Sequence, residues 1–169
     1  MNKSELRKWA KAERKKSDIK NISIKLAQKL QKTEEYRQAK NIMIFYPLEN
    51  EVDLLSILND KGKHFYLPKV SGKDLLCCPY CTGDELCKSC FNTQEPLSDG
   101  VDKALIDLVI VPALACDINN YRLGYGGGFY DRFLSNSNVK KIVCIPKEFV
   151  VETIYPEVTD IPVDKVVTA

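Results

Sequence analysis

Three consecutive glycines, Gly126, Gly127 and Gly128, separate a polar loop from an amphipathic segment that starts near Phe129. Residues without Cβ let backbone N–H groups close on an anion, and a helix N-terminus placed there adds its dipole to the attraction. Arg122 lies just upstream and offers a forked cation suited to phosphate. The surrounding stretch, IDLVIVPALACDINNYRLGYGGGFYDRFL from Ile106 to Leu134, reads as strand, glycine-rich turn and helix. It lacks the Lys-Ser/Thr of a Walker A loop and does not fit GxGxxG. On shape alone two readings stand: a phosphate cradle, or a tight turn that only punctuates a loop. Asp131 is equally open, either complementing the positive end of the helix dipole or ligating Mg²⁺ beside nucleotide phosphates. A second carboxylate arriving from elsewhere would favour the metal.

Cysteine is the other chemistry-bearing feature. Five of the seven cysteines fall in CCPYCTGDELCKSC, residues 77–90, which contains Cys78-x-x-Cys81 and Cys87-x-x-Cys90. Two such pairs can close a tetrahedral Zn²⁺ site. Here five residues separate the pairs, against roughly 15 to 20 in a zinc ribbon. Zinc ligands, a redox pair and plain structural thiols all remain readings of this segment, whereas Cys116 and Cys144 read as small core residues. His64, the only histidine, falls in a strand-like run and reads as structural.

These residues need a scaffold, and the hydrophobic pattern supplies one. Leu6, Trp9 and Ala10 share one helical face while Lys8, Lys11, Lys15 and Lys16 point elsewhere; Ile19, Ile22, Leu26 and Leu30 repeat the spacing in a second helix. From residue 41 the pattern alternates as in βα units with a mostly parallel sheet. Strands are expected at Asn41 to Tyr46, His64 to Lys69, Ile106 to Val111, Lys141 to Ile145 and Lys165 to Thr168. A short helix is expected after Asp53 as N-cap, with Gly62 as its stop.

With 169 residues and 44% of them apolar, the chain is long enough for one ordinary α/β domain over residues 1–169. No apolar run approaches the roughly 20 residues of a membrane span, and the start, MNKSELR, has no apolar signal core. A cytoplasmic protein with reduced thiols is expected, without membrane or nucleic-acid partners and monomeric. The net charge of +2 conceals a division: residues 1–40 carry 13 basic and 5 acidic side chains, the rest 12 and 18, so +8 faces −6. Most of these lysines read as solvated faces of helices packed on a sheet, because a nucleic-acid patch would interleave aromatics and only Trp9 is present.

The glycine loop, RLGYGGGFYDRFL, resembles the signature loop of the 5-formyltetrahydrofolate cyclo-ligase (methenyltetrahydrofolate synthetase) family, and the similarity extends over nearly the whole chain. Lys3-Ser4-Glu5-Leu6-Arg7 is similar to its N-terminal Lys-x-x-x-Arg, and Tyr46 with Glu51-Val52-Asp53 to its Glu-Val-Asp element. Leu67-Pro68-Lys69-Val70, Glu95-Pro96, Lys147-Glu148 and Thr159-Asp160-Ile161-Pro162-Val163-Asp164 fall at further family positions. The resemblance implies a three-layer α/β/α domain with two N-terminal helices. It also implies MgATP-dependent conversion of 5-formyltetrahydrofolate to 5,10-methenyltetrahydrofolate through an iminium phosphate, with ATP and Mg²⁺ as cofactors. Residue by residue, it places Lys3, Arg7 and the run Arg122, Leu123, Gly124, Tyr125, Gly126, Gly127, Gly128, Phe129 and Tyr130 on ATP. Tyr46 and Glu51, with Tyr125 to Phe129, would hold the folate, and Asp131 and Asp160 the metal. Asn92, Asn120, Cys116 and Phe129 depart from common family residues. A zinc-binding interaction module built on the cysteine pairs, and a nucleotide-binding paralogue with another substrate, are the competing classes.

Overall fold

The computed structural model describes residues 1–169. Helices α1 (Lys3–Arg14), α2 (Ile19–Gln31) and α3 (Glu34–Gln38) precede strand β1 (Asn41–Met43). There follow β2 (His64–Ser71), β3 (Asp74–Pro79), β4 (Leu86–Lys88), β5 (Gln94–Pro96), β6 (Leu108–Ile110), β7 (Ala115–Asp117) and β8 (Arg122–Leu123). Helix α4 (Phe129–Leu134), β9 (Lys140–Ile145), β10 (Val150–Val151) and β11 (Lys165–Thr168) complete the order. The central sheet runs β11-β9-β6-β1-β2-β3, parallel at every pairing except β2 with β3. The chain is therefore mixed α/β with a mostly parallel sheet, as the pattern predicts.

Strand alternation divides the core into two layers. Ile42, Leu108, Ile110 and Ile142 face Leu26, Leu30 and Tyr36 of α2 and α3. Met43, Val109, Val143 and Ile145 face Leu6 and Ala10 of α1 and Phe133 and Leu134 of α4. Both faces of the parallel strands are thus covered, which is why these strands read as continuous apolar runs. Helix α1 opens with a capping box: Asn2 accepts from the Glu5 N–H at 3.0 Å and Glu5 accepts from the Asn2 N–H at 2.8 Å. This cap sets where Lys3 and Arg7 begin.

Several boundaries differ from the sequence expectation, each for a local reason. Strand β1 ends at Met43 rather than Tyr46; Ile44 still donates to the Tyr66 carbonyl at 2.9 Å, and the chain then leaves the sheet toward Pro47, which has no N–H to offer it. The strand expected over 106–111 shortens to 108–110, because Asp107 turns its carboxylate onto the Lys40 and Asn41 N–H groups. The helix expected after Asp53 is one 3₁₀ segment, Leu55–Asn59; Asp53 accepts from the Leu55 N–H, and Asp60 takes the Gly62 N–H in a closing turn. The cysteine segment supplies strands β3 and β4. Cys78 is buried opposite Leu67 of β2, whereas Cys81, Cys87 and Cys90 are exposed; all seven thiols are free. No group of three or more His, Cys, Asp or Glu side chains is placed to hold a metal ion. No helix is long and apolar enough to cross a membrane.

Candidate active site

In a parallel sheet, ligands bind beyond the carboxyl ends of the strands where the strand order reverses. Here β1 is followed by β2 on one side, and the next parallel strand, β6, lies on its other side. A cavity of about 1410 Å³ opens at that place, lined by Phe45 and Tyr46 after β1 and by Pro112 after β6. Three further segments close it: the start of α1, the glycine loop into α4, and residues 155–161.

At one end the glycine loop is held by arginines. Gly126 has φ +112° and Gly128 +70°, conformations that L side chains rarely adopt. Gly128 is the N-cap of α4. A Cβ on Gly127 would stand 2.8 Å from the Phe129 ring. Arg7 donates from Nε to the Gly124 carbonyl at 2.9 Å, and Arg132 from Nη1 to the Gly127 carbonyl at 2.9 Å. Arg122 lies beneath the loop with only 5% of its side chain exposed; Nη1 donates to the Pro112 carbonyl at 3.1 Å, and Nη2 lies 3.6 Å from Asp131 Oδ2. Its buried Nε has no partner. Burial pulls the Arg122 pKa down, while Asp131, Tyr130, Cys116 and Asp160 oppose that shift.

The two aspartates arrive from different elements. Asp131 comes from the first turn of α4 and accepts from the Ile161 N–H at 3.2 Å, which brings the residue after Asp160 to its side. Lys3 donates to Asp160 Oδ2 and lies 3.3 Å from Glu157. Burial pushes the Asp160 carboxyl up, but the Lys3 ammonium and the Glu157 N–H more than offset it, so the group titrates below the ordinary aspartate value. Lys3, Arg7, Arg122, Asp131 and Asp160 therefore meet at one end of the cavity.

The cavity also holds a buried acid, Glu51, against the same loop. Glu51 Oε1 accepts from the Leu48 N–H at 2.9 Å and Oε2 from the Tyr125 hydroxyl at 2.6 Å. Burial raises its pKa, and the Tyr125, Leu48 and Arg14 interactions reduce the rise. Tyr125 thus links the glycine loop to the Tyr46–Glu51 segment. Phe129 packs edge-on against Phe91, with ring centroids 5.5 Å apart, and Leu123 is buried below. Tyr130 lies under the Arg122 guanidinium at 5.5 Å.

The cationic and acidic residues named from sequence are thus brought to one cavity. Others in or near it were not foreseen. Arg14 is buried on the same α1 face as Leu6 and Ala10; it donates to the carbonyls of Ala113 and Leu114, and Nε and Nη1 have no partner. Its place one further four-residue step along the Leu6 and Ala10 face was the available signal. Arg132 and Glu95 lie in segments that carry the family resemblance, but the groups they meet, Gly127 and Lys73 for Arg132 and Val70 for Glu95, emerge only from the fold.

A chain carrying an oxyanion-suited loop, two convergent aspartates and a separate buried glutamate can position a phosphorylated ligand and a second, hydrogen-bond-donating one together. The model of the 5-formyltetrahydrofolate cyclo-ligase family matches residues 1–169. The 5-formyltetrahydrofolate cyclo-ligase of Escherichia coli K12 is 33% identical over 142 residues, covering 77% of this chain and 78% of that protein. The NMR structure of Aquifex aeolicus 5,10-methenyltetrahydrofolate synthetase superposes with a TM-score of 0.85 at 32% identity, over 99% of this chain and 90% of that one. A 5,10-methenyltetrahydrofolate synthetase from Mycoplasma pneumoniae shares the fold, with a TM-score of 0.80 at 21% identity over 99% and 98% of the two chains.

Proposed function

The chain belongs to the 5-formyltetrahydrofolate cyclo-ligase family, and we propose that it converts 5-formyltetrahydrofolate to 5,10-methenyltetrahydrofolate at the expense of ATP, residues 1–169 acting as one domain. The observation that carries this assignment is the division of one cavity between the arginine-braced glycine loop, with Asp131 and Asp160 beside it, and the buried Glu51.

A formamide oxygen is a poor leaving group, so the chemistry needs it converted to a good one. The γ-phosphoryl group of ATP passes to the formyl oxygen, ADP leaves, and an iminium phosphate results. N10 then bonds to the formyl carbon and loses its proton, the carbon–oxygen bond breaks, and phosphate departs with the former formyl oxygen. Such transfers ask the protein chiefly to position groups and neutralise charge, so no nucleophilic side chain is required. In this reading Lys3, Arg7 and the loop from Arg122 to Tyr130 take the triphosphate. The unpartnered Arg122 Nε and the positive-φ glycines suit that ligand.

Asp131 and Asp160 suit a hard cation that is shared with phosphate oxygens, and Mg²⁺ bound there would neutralise charge on the transferring group. Tyr46 and Glu51, with Tyr125 to Phe129, take the folate. Tyr125 keeps its proton, because burial and the adjacent Glu51 both raise its pKa, and can hold Glu51 in place. The test is a spectrophotometric assay for the methenyl product with 5-formyltetrahydrofolate, ATP and Mg²⁺, each omitted in turn. Product that requires all three is expected; no product, or product without ATP, refutes the assignment.

A further inference from the structure

Glu95 lies on β5, with 8% of its surface exposed. Oε2 accepts from the Val70 N–H at 2.7 Å and so ties β5 to β2. No lysine or arginine forms an ion pair with it. Oε1 accepts nothing from the protein, and the side chain lines the cavity together with Pro68, Val70 and Thr93. Oε2 is committed to the Val70 N–H, whereas Oε1 is not among the buried polar atoms left without a partner and faces the cavity. Oε1 is therefore free to accept a hydrogen bond from a donor that enters the cavity.

The surroundings narrow the class of donor. Thr93, two residues before Glu95, donates to the Tyr46 carbonyl at 3.4 Å, which joins this hairpin to the Tyr46–Glu51 side of the cavity. The cations Lys3, Arg7 and Arg122 are engaged elsewhere, on Asp160, Gly124, Pro112 and Asp131. Triphosphate oxygens carry no proton to offer and would be repelled by an unpaired carboxylate. A reduced pterin carries ring N–H groups and an amino group, and its flat body suits the apolar side of Pro68, Val70 and Leu75.

We propose that Glu95 is a second folate-binding carboxylate, accepting a hydrogen bond from an N–H donor of the reduced pterin through Oε1, a role that rests on the folate activity proposed above. Glu51 and Glu95 then read the pterin from two different segments of the chain, which favours the reduced, N–H-rich ring over an oxygen-rich one.

The experiment compares wild type with Glu95→Gln, whose amide oxygen keeps the Val70 contact, and with Glu95→Ala. Dissociation constants are measured by calorimetry for 5-formyltetrahydrofolate, for the fragment 5-formyl-6-methyltetrahydropterin and for MgATP, alongside thermal unfolding. A hydrogen bond to a charged group is worth about 10- to 100-fold in affinity. Glu95→Gln should lose that factor for folate and fragment alike, keep MgATP affinity within about twofold, and unfold near the wild-type temperature. Unchanged folate affinity overturns the role of Glu95. So does an equal loss for MgATP, which would show damage to the cavity as a whole. Wild type that binds MgATP but neither folate nor fragment would instead refute the folate reading itself.

Discussion

Gly124→Ala adds one methyl group where two arginines meet the glycine loop. A Cβ there would lie 2.7 Å from Arg122 Nη1, closer than real Cβ contacts come. An exposed arginine would swing aside at little cost. Arg122 cannot, because its side chain is 5% exposed, Nη1 is committed to the Pro112 carbonyl at 3.1 Å and Nη2 lies beside Asp131. The methyl therefore breaks or stretches a charge-assisted hydrogen bond worth about 1.5–3 kcal/mol. At about 2–4 °C per kcal/mol for a chain of this size, the unfolding temperature should fall by about 3–12 °C. The Gly124 carbonyl also receives Arg7 Nε, so a shift of this residue carries Arg7 with it, and ATP affinity should fall at least about tenfold.

The mechanism can be isolated by a double-mutant cycle. Arg122→Met removes the group that the methyl strikes, so the Arg122→Met/Gly124→Ala variant should be no less stable than Arg122→Met alone. Gly62→Ala is the control, since its Cβ would meet only Asp60, at 3.4 Å. Thermal unfolding and ATP calorimetry on the four proteins of the cycle and the Gly62→Ala control decide the matter. Additive losses, or wild-type stability in Gly124→Ala, refute the claim that Arg122 is a fixed wall beneath the loop.

Asp131→Asn should leave the fold intact, since the amide oxygen can still accept from the Ile161 N–H, while turnover with MgATP falls about 10²-fold through the lost carboxylate; an unchanged kcat would refute its metal role. Glu51 has a folded pKa raised by burial, so the folded state holds its proton at pH values where the unfolded chain has released it. Wild-type stability should therefore decline as pH rises from the ordinary glutamate range through that raised value, and Glu51→Gln should remove this part of the slope. Urea unfolding across that range tests it, and identical profiles would refute it. Replacing the exposed Cys81, Cys87 and Cys90 by Ser should change stability by no more than about 0.5 kcal/mol. Stoichiometric zinc by elemental analysis, or a large loss in the triple variant, would restore the metal reading of the cysteine pairs.

Lys3, Arg7 and Glu51 are named through the resemblance although their partners Asp160, Gly124 and Tyr125 lie far along the chain, whereas no local pattern marks the Ala113 and Leu114 carbonyls that Arg14 meets. The apolar runs at 64–69, 141–145 and 165–168 become strands close to their expected bounds. Local periodicity suffices there, because it depends only on which face is apolar. Where a distant group competes, the expectation shifts, as when Asp107 turns onto the start of β1 and shortens β6. The segment after Asp53 forms a single 3₁₀ turn with Leu54 and Ile57 buried, closed by Asp60.

From the amino-acid sequence come the mixed α/β class with its mostly parallel sheet, the glycine loop and, through resemblance, the family. The resemblance also named Asp160 as the second acid beside Asp131, but the sequence left open whether the cysteine pairs converged and what Asp131, Arg14, Arg132 and Glu95 touch. Tertiary structure decided these. It brings the Ile161 N–H to Asp131, sets Cys78 into a sheet apart from three exposed thiols, and leaves Glu95 with one oxygen open to the cavity. The physical reason is that burial, charge pairing and an unmet hydrogen bond are properties of spatial neighbours, and residues 70 and 95, or 131 and 161, become neighbours only when the sheet closes.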